Sequence, residues 1–469
     1  MATPSSLDFL ALHPFVRATV HDKIKGTIVG SALGDCIGLY TEFLPKSICI
    51  NAYPEKRFQL IDPPTEFRND GHRKDKFQIK AWTDDTDHAL LILLSYLHHD
   101  GQKLAHNDVA ERLKLWVEQG LRVLDRPPLG LGATVGSVVS SREYLANPAQ
   151  RAYSSWLKSN RYIAPNGSLM RTHPLGVICL GATLQETFQI AANYSAITHA
   201  DPRCIVACCT VTALIRGILR GEVLHESNVD KLMEEACAWT KAWLEGGREG
   251  SGCNLESNEL HETGALLDME EYARHAKVTS FAELQLDDGQ KIGYVYKAFG
   301  AAVLSLRMAM RQAPCDHTMG IATTVNPPKS TIFENIITEL TFEGGDADTN
   351  ACVAGALLGC WLGYDALPPQ WRDGMQHQEW MVGKCQALSQ MVGVGQGEPR
   401  YKGSQDPDTA VDGGRGLLSA DEVSRRDKQF MYQYLMRSEE ATEREKQRLG
   451  EGKKSKKTGW GGVFSSLKG

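Results

Sequence analysis

The sequence predicts an all-α protein, and three observations support that prediction. Apolar residues recur with the three- and four-residue spacing of amphipathic helices along most of the 469-residue chain. Strictly alternating patterns bounded by tight turns, which would indicate β-hairpins, are scarce. Glycine recurs every fourth residue in two apolar runs, residues 26–38 and 355–363. The expected helices begin near Ile24, Asp85, Asn107, Ala133, Leu184, Arg203, Val229, Ile292, Ile332, Asp348 and Glu379.

The two glycine repeats predict where the fold is most crowded. A glycine in a helix interior costs about 1 kcal/mol relative to alanine, so a repeat needs a compensating gain. Close approach of two helix backbones supplies one, because a Cβ atom would keep them apart. The same spacing occurs in membrane-helix dimers, but here the runs are too short and their flanks too polar. We therefore expect both segments at the centre of the fold.

Composition places the chain among ordinary intracellular globular proteins. Hydrophobic residues make up 42% and charged residues 23%, and the net charge of −6 gives no reason to expect nucleic-acid binding. The twelve cysteines include no C-x-x-C pair, and the N-terminus has no basic segment ahead of a long apolar run, so we expect reduced thiols and no secretory signal. We expect a soluble, cytoplasmic monomer with no membrane contact. The lysine cluster at 453–457 leaves a nuclear location open.

Changes in composition along the chain predict two regions. Residues 1–395 are expected to form one domain, with a surface insertion at about 246–283 that opens on a run rich in Gly, Ser, Asn and Glu. Residues 396–469 are expected to form a linker, ending near Gly416, and then a charged, mobile helical arm.

Two short acidic runs are the most informative local pattern: Thr83-Asp84-Asp85-Thr86 and Asp346-Ala347-Asp348-Thr349. Each precedes an apolar helix, and a single such run is usually an N-cap, because Thr and Asp accept hydrogen bonds from the first helical turn. Each run, however, holds two carboxylates where one would cap. Four acids brought together in a low-dielectric site would repel one another unless cations neutralised them. Oxygen-only clusters of this kind suit Mg²⁺ or Mn²⁺.

Three further motifs have both a functional and a structural interpretation. Asp35 and Glu42 lie at the C-terminal end of an apolar helix, where the helix dipole disfavours a carboxylate, so Glu42 is either a metal or catalytic residue or a solvated loop acid. The turn Asn166-Gly167-Ser168 leads toward a helix N-terminus, where backbone N–H groups suit a phosphate. His199 stands in Thr198-His199-Ala200-Asp201 at the start of another helix, where a histidine is often structural.

Taken in order, these motifs resemble those of the ADP-ribosylglycohydrolase family, and the similarity extends over about residues 20 to 390. The resemblance implies a compact, multi-helix all-α domain with two Mg²⁺ or Mn²⁺ ions in a central cleft. It also implies that residues 1–395 are a catalytic domain that cleaves the glycosidic bond between ADP-ribose and a protein side chain or a related conjugate. Nucleic acid enters this interpretation only as a modified substrate.

The resemblance further implies roles for individual residues. The expected metal ligands are Thr83, Asp84, Asp85, Asp346, Asp348 and Thr349. Among them, Asp348 is expected to bridge the two ions. Glu42 and Asp85 are the expected catalytic residues, with Glu42 acting as an acid/base or a metal ligand. The expected substrate-binding residues are Asp35, Asn166, Gly167, Ser168 and His199.

Three alternatives stay open at this stage. A two-metal phosphohydrolase would also use clustered aspartates, although His or Lys residues would usually join them to meet the phosphoryl charge. A non-catalytic ADP-ribose-binding protein would use the ions only to hold its ligand. In the third alternative, the charged C-terminal arm is a scaffold that binds a partner, and its removal leaves hydrolysis unchanged.

Overall fold

The computed structural model describes residues 7–68, 77–102, 105–253, 267–313, 328–397 and 400–460. Within these ranges the chain forms seventeen α-helices joined by loops and short 3₁₀ turns, and it has no β-strand, only three isolated bridges. The predicted all-α class is confirmed. The chain divides into two units: residues 7–65 with 80–416, and the described residues of 66–79 with 417–460. All of the candidate site residues belong to the first unit.

The helices are numbered here in chain order. They are α1 (Pro14–Gly38), α2 (Lys46–Ala52), α3 (Asp84–His98), α4 (His106–Gln119), α5 (Ala133–Val139), α6 (Pro148–Lys158), α7 (His173–Ile178), α8 (Leu184–Ala196), α9 (Pro202–Arg220), α10 (Glu226–Glu245), α11 (Met269–Ala276), α12 (Val295–Gln312), α13 (Lys329–Thr341), α14 (Ala347–Leu362), α15 (Pro369–Arg372), α16 (Gln378–Met391) and α17 (Ala420–Trp460).

The two glycine-rich helices, α1 and α14, pack against each other at the centre of the first unit. A Cβ atom on Gly26 would lie 2.3 Å from the carbonyl oxygen of Gly359, and one on Gly34 would lie 1.9 Å from that of Ala351. Side chains at these positions would force the backbones apart, so the prediction of a crowded centre is confirmed. The order of the contacts makes the pair antiparallel, and it brings the C-terminal end of α1 beside the N-terminal end of α14.

Helix boundaries follow the apolar periodicity closely, with one clear exception. Ten of the eleven predicted starts lie within three residues of an observed start. The exception is α1, which begins at Pro14 rather than near Ile24. His13 caps it, with its Nδ1 atom 3.3 Å from the backbone nitrogen of Phe15. The first turns of α1 are largely exposed, and apolar residues there such as Phe15 face solvent, so the apolar run read from the sequence begins later.

Two segments that read as surface or linker are packed into the first unit. Residues 246–253 open the expected insertion, and in them Arg248 and Ser251 are buried. The next part of that insertion, residues 254–266, lies outside the described residues. Residues 400–416, expected to form a linker, pack on the domain: Lys384 pairs with Asp408 at 2.8 Å, and Thr409 is buried.

Two helices bear on expectations about the arm and about membranes. The charged arm is helical through α17, although the side chains of the lysine cluster at 453–457 are outside the described set. Among the helices described, α9 alone is long and apolar enough to cross a membrane. Of its most apolar window, 94% is buried inside the protein, which is the environment of a core helix.

Candidate active site

Two chain segments bring carboxylates to one buried place. Glu42 follows the C-terminal end of α1, and Asp346 and Asp348 lie at the N-terminal end of α14. Carboxylate oxygens of these three residues lie within 4.8 Å of one another, and all three residues are buried. The antiparallel packing of α1 and α14 therefore assembles an acidic group from parts of the chain about 300 positions apart.

A backbone pairing holds Glu42 next to Asp346. The N–H group of Phe43 donates to the carbonyl of Gly345, and the N–H group of Gly345 donates to the carbonyl of Leu44 at 3.0 Å. Gly345 has a φ of +70°, and a Cβ atom there would lie 2.0 Å from the carbonyl oxygen of Leu286. Only glycine meets both conditions. Gly345 therefore helps to position Glu42 and Asp346.

Asp35 organises the N-terminus of α3. Its carboxylate accepts hydrogen bonds from the backbone N–H groups of Thr83, at 2.9 Å, and Thr86, at 3.1 Å, and from the Thr86 hydroxyl at 2.7 Å. Burial raises the pKa of Asp35 to about 6, while these hydrogen bonds act in the opposite direction. Both oxygens are committed to α3. Asp35 therefore positions the first acidic run, and the substrate-binding role predicted for it stays a prediction.

Asp85 connects the two acidic runs. Its carboxylate accepts a hydrogen bond from the hydroxyl of Thr83 at 3.1 Å, and the nearby Thr349 side chain at the start of α14 acts to lower its pKa. Its other oxygen, Oδ1, is buried and has no hydrogen-bond partner in the described part of the chain. A buried carboxylate oxygen left without a donor is costly unless a cation or ordered water meets it. The geometry thus joins both predicted runs and leaves ligand capacity at Asp85.

Asp84 lies at the same helix end, against the loop before α5. Gly130 has a φ of +92°, and a Cβ atom there would lie 2.2 Å from Oδ1 of Asp84. A side chain at position 130 would displace this carboxylate. The loop is therefore shaped around Asp84, although no pattern in the sequence around Gly130 indicates that role.

The electrostatics of the cluster favour a bound cation. Burial, and after it the charges of neighbouring acids, raise the pKa of Asp84, Asp85 and Asp348 well above the usual range. The N-terminal ends of α3 and α14 attract negative charge, but each helix end supplies only about half an elementary charge. Carboxylates and threonine hydroxyls are the donors that Mg²⁺ and Mn²⁺ prefer. The residues present therefore fit one or two hard divalent cations.

The turn at 166–168 adjoins the acids through one residue. Nδ2 of Asn166 donates to Oδ2 of Asp346 at 2.8 Å. Ser168 points the other way: its hydroxyl accepts from Ser195 at 2.9 Å and from the Cys208 thiol at 3.5 Å. The Ser168 hydroxyl is therefore bound within the core, and the substrate contact predicted for this residue as part of the turn stays a prediction. Asn166 has the expected place, on the edge of the acidic group.

His199 lies across the turn from the acids. Its ring covers Gly167, where a Cβ atom would be 3.1 Å from Nε2, and its Nδ1 is 2.7 Å from the Thr198 hydroxyl. It borders a cavity of about 60 Å³. A second cavity, of about 310 Å³, lies beside Pro165 and Gly293, and Gly293 is next to the Asp346 carboxylate. The turn is thus flanked by space on two sides.

Sequence reasoning missed Asp87, the third acid in the first turn of α3. Its carboxylate accepts hydrogen bonds from the indole nitrogens of Trp82, at 2.7 Å, and Trp116, at 3.0 Å, and it pairs with Arg126 at 3.3 Å. These partners balance its charge, so it anchors the helix end and does not face a ligand. Since Trp116 and Arg126 are distant in sequence, no local pattern distinguishes Asp87 from Asp84 or Asp85.

Comparison with known proteins agrees with this geometry. Residues 16–399 match the family model of the ADP-ribosylglycohydrolases. The chain is 23% identical to the ADP-ribosylarginine hydrolase Tri1 of Serratia proteamaculans, over 79% of this chain and 80% of that protein. It is also 23% identical to the human ADP-ribosylhydrolase ARH3, over 76% and 90%, and to the ADP-ribosyl-[dinitrogen reductase] glycohydrolase of Rhodospirillum rubrum, over 75% and 90%. Because the family model covers most of its length, the chain belongs to the ADP-ribosylglycohydrolase family.

Proposed function

We propose that this protein is a hydrolase that uses divalent cations to cleave the glycosidic bond between ADP-ribose and a protein side chain or a related conjugate. One observation carries the proposal: Glu42, Asp346 and Asp348 place carboxylates within 4.8 Å of one another in a buried site. A cluster of this kind is difficult to explain as helix capping alone, because burial and mutual repulsion destabilise the ionised acids.

The residues that would hold two Mg²⁺ or Mn²⁺ ions are Thr83, Asp84, Asp85, Asp346, Asp348 and Thr349. Such ions orient a water molecule, lower its pKa, and stabilise negative charge on a leaving oxygen. Three features of the chain support this assignment: the donors are all oxygens, the Asp85 Oδ1 atom lacks a protein partner in the described structure, and the Thr349 side chain of the second run acts to lower the pKa of Asp85 in the first.

Glu42 is the proposed acid/base. Hydrolysis forms a bond between a water oxygen and the anomeric carbon of ribose and breaks the bond to the acceptor atom, through an oxocarbenium-like transition state. A carboxylate held beside the reaction centre takes the proton that water loses, and a carboxylic acid can return one to the leaving group. The pairing of Phe43 and Leu44 with Gly345 fixes the backbone next to Glu42 for this task. Asp85 is the second proposed catalytic carboxylate.

The proposed substrate is an ADP-ribosylated protein or a small ADP-ribose conjugate. Asn166, bound to Asp346, and Gly167, beneath the His199 ring, form a turn that would contact the phosphates or the adjoining ribose. Arginine is the first acceptor to test, because the Serratia proteamaculans relative is named an ADP-ribosylarginine hydrolase. Serine is the second, as a common hydroxyl acceptor. We propose a cytoplasmic or nuclear location, where such conjugates form.

Product analysis tests the proposal directly. The purified full-length protein is incubated with arginine-linked and serine-linked ADP-ribosyl peptides, with Mg²⁺, with Mn²⁺, and with a chelator. Release of free ADP-ribose that the chelator abolishes would support the proposal. AMP or inorganic phosphate among the products would indicate a phosphohydrolase instead. Tight binding of ADP-ribose with every peptide left intact would indicate a non-catalytic binding protein.

A further inference from the structure

A buried chain of hydrogen bonds runs from Arg171 through Thr198 to His199. The Arg171 Nη2 atom donates to the Thr198 hydroxyl at 2.6 Å and to the carbonyl of Tyr194 at 3.1 Å. The same hydroxyl lies 2.7 Å from Nδ1 of His199. Arg171, Thr198 and His199 are each no more than 3% exposed, so solvent cannot complete their hydrogen bonding. This series of hydrogen bonds is separate from the acidic group and includes none of its residues.

The donor and acceptor count decides the direction of the second bond. A guanidinium only donates, so Thr198 must accept from Arg171. The Thr198 hydroxyl then still has its own proton to place. Its partners in the described structure are the Arg171 guanidinium, which cannot accept, and Nδ1 of His199, which can. A buried hydroxyl proton without an acceptor is unfavourable, so Thr198 donates to Nδ1.

The charge state of His199 follows from its surroundings. Burial, and after it the nearby Arg171 guanidinium, lower the pKa of His199 well below its usual range, so the ring is neutral. A neutral imidazole carries one proton. If Nδ1 accepts from Thr198, that proton must be on Nε2. The acids of the candidate site are absent from the groups that influence this ring most, so they do not oppose the assignment.

We propose that Arg171 and Thr198 are positioning residues that fix His199 as the neutral tautomer with its proton on Nε2, so that the ring presents a hydrogen-bond donor to the ligand. Nε2 faces Gly167, and it has no protein partner within the described structure. A donor at this point suits an acceptor oxygen on a sugar or phosphate group. That the ligand is ADP-ribose rests on the proposed function, whereas the tautomer does not.

Nitrogen NMR tests the tautomer without any turnover. In protein labelled with ¹⁵N-histidine, the two-bond ¹⁵N–¹H pattern distinguishes a ring protonated at Nε2 from one protonated at Nδ1 or at both. His199→Gln assigns the signals of His199 by their loss. We expect the Nε2–H pattern in the unliganded wild type, and a mixture of tautomers in Thr198→Val, which keeps the shape but removes the hydroxyl. An Nδ1–H or doubly protonated ring in the wild type would overturn the proposal.

Affinity tests the consequence for the ligand. By calorimetry with ADP-ribose at constant Mg²⁺, we expect Thr198→Val to weaken binding about tenfold, the effect of one misaligned hydrogen bond. Thr198→Ser, which keeps the hydroxyl, should bind within about twofold of wild type. Thr212→Val is the matched control, because it removes another buried threonine hydroxyl, which pairs with Thr172 at 3.0 Å, and it should also be near wild type.

The outcomes separate this proposal from the proposed function. Equal affinity of Thr198→Val and wild type, or failure of Thr198→Ser to restore binding, would overturn the positioning role. The protein could also release no ADP-ribose from any peptide. If the wild type still shows the Nε2–H tautomer and Thr198→Val still binds ADP-ribose tenfold more weakly, the positioning role is supported and only the proposed hydrolase activity is contradicted. The ADP-ribose affinity of Arg171→Lys should lie between those of Thr198→Ser and Thr198→Val, since lysine keeps the charge but loses the planar donor.

Discussion

The N-terminal ends of α3 and α14 have nearly the same local sequence but are completed in different ways. At α3, the capping carboxylate comes from another helix, because Asp35 accepts from the backbone N–H groups of Thr83 and Thr86. At α14, Asp346 is the N-cap residue, yet its side chain makes no capping hydrogen bond and instead accepts from Asn166. Both arrangements keep carboxylates of the acidic runs available for the shared site.

This difference shows that a capping acid and a ligand acid can be told apart only by where the backbone N–H groups find their acceptors. Asp35 lies outside both acidic runs, but its carboxylate caps the N-terminal end of α3. Asp346 stands where a cap is expected, but its carboxylate meets Asn166, Glu42 and Asp348. Four predictions test two statements: that the N-terminal ends of α3 and α14 contribute equally to the proposed metal ligands, and that different residues stabilise the two ends.

The largest expected effect is loss of hydrolysis in Asp346→Asn and in Asp348→Asn, with the fold intact. Either change removes a charged ligand, so we expect the release of ADP-ribose to fall by a thousandfold or more, roughly 4 kcal/mol of transition-state stabilisation. Asp84→Asn and Asp85→Asn should behave alike if the two helix ends contribute equally. The measurement is kcat/KM at saturating Mg²⁺, with circular dichroism to check the fold.

The control is Asp365→Asn, an exposed aspartate just past the far end of α14. It should keep full activity. Full turnover by purified Asp346→Asn and Asp348→Asn would contradict the ligand role of α14. Full turnover by the α3 variants alone would show that only one helix end supplies the ligands.

The second prediction concerns the stability of the metal-free protein. The pKa values of Asp84, Asp85 and Asp348 are raised by burial and by neighbouring acids, so the folded state retains protons that the unfolded chain releases. Stability from such groups is greatest at low pH and is lost as pH rises from about 4 through the raised values. We therefore expect the free energy of unfolding in chelator to fall as pH rises above about 4.

Urea denaturation at several pH values, with chelator and with Mg²⁺, measures this effect. Mg²⁺ should restore stability most at the high-pH end, by about 2.7 kcal/mol at a concentration one hundred times its Kd. Asp348→Asn should stabilise the metal-free protein and reduce the gain from Mg²⁺. A free energy of unfolding that rises with pH in chelator would contradict the picture of repelling acids.

The third prediction tests the cap that Asp35 of α1 provides at the N-terminal end of α3. Asp35→Asn keeps the shape but replaces a charged acceptor with an amide whose NH₂ group faces backbone donors. Hydrogen bonds to a charged group contribute about 1.5–3 kcal/mol each, so we expect the free energy of unfolding to fall by about 2 kcal/mol. Mg²⁺ affinity should fall as well, because the helix end that carries Asp84 and Asp85 loses its anchor.

Comparison with Asp346→Asn sharpens the result. Asp35→Asn should lower stability in chelator, whereas Asp346→Asn should not, since the Asp346 side chain caps no helix. Equal stability losses in the two variants would mean that both acids serve as caps.

The fold was largely predictable because it rests on patterns within single helices. The glycine repeats of α1 and α14 indicate their close packing directly, since only that arrangement compensates their cost. The short helices α2, α6, α7, α11 and α15 were missed, because helices of 4 to 11 residues offer few apolar positions from which to read a period. Among helices this short, only α5, with seven residues, was predicted. The early start of α1 was missed because its first turns are largely exposed, so apolar residues there such as Phe15 do not extend the buried apolar run.

The site was predictable only in part, because its supports come from distant residues. The two acidic runs could be recognised in the sequence because each holds more carboxylates than a helix cap needs. Glu42 was added to the predicted site on the basis of the family resemblance. Nothing near Asp35 shows that it caps a helix 48 positions later. Nothing near Ser168 shows that its hydroxyl turns toward Ser195 and Cys208. Each role depends on a partner that only the folded chain supplies.

The smallest expected effect concerns residues 400–416, which lie beyond the residues matched by the family model. Arg415 donates to the carbonyl of Val123 at 3.1 Å, and Gly413 packs on the backbone of the same residue. The loop at 121–126 ends in Arg126, which donates to the carbonyl of Trp82 at 2.7 Å, directly before Thr83. Residues 400–416 thus brace α3 at both ends: through residues 121–126 at the N-terminal end, and directly at the C-terminal end, where the Thr409 hydroxyl lies 3.2 Å from Nδ1 of His98.

Lys384→Met tests this brace, because the Lys384 ammonium pairs with Asp406 at 2.5 Å and with Asp408 at 2.8 Å. The aspartates are partly exposed, so we expect a loss of about 1 kcal/mol in the free energy of unfolding. We also expect a few-fold rise in the Mg²⁺ concentration needed for half-maximal activity. Lys402→Met, at an exposed lysine of the same segment, should change neither quantity. If Lys384→Met lowers stability but leaves the Mg²⁺ requirement unchanged, residues 400–416 stabilise the domain without positioning the acids of α3, and the two helix ends are supported independently of this segment.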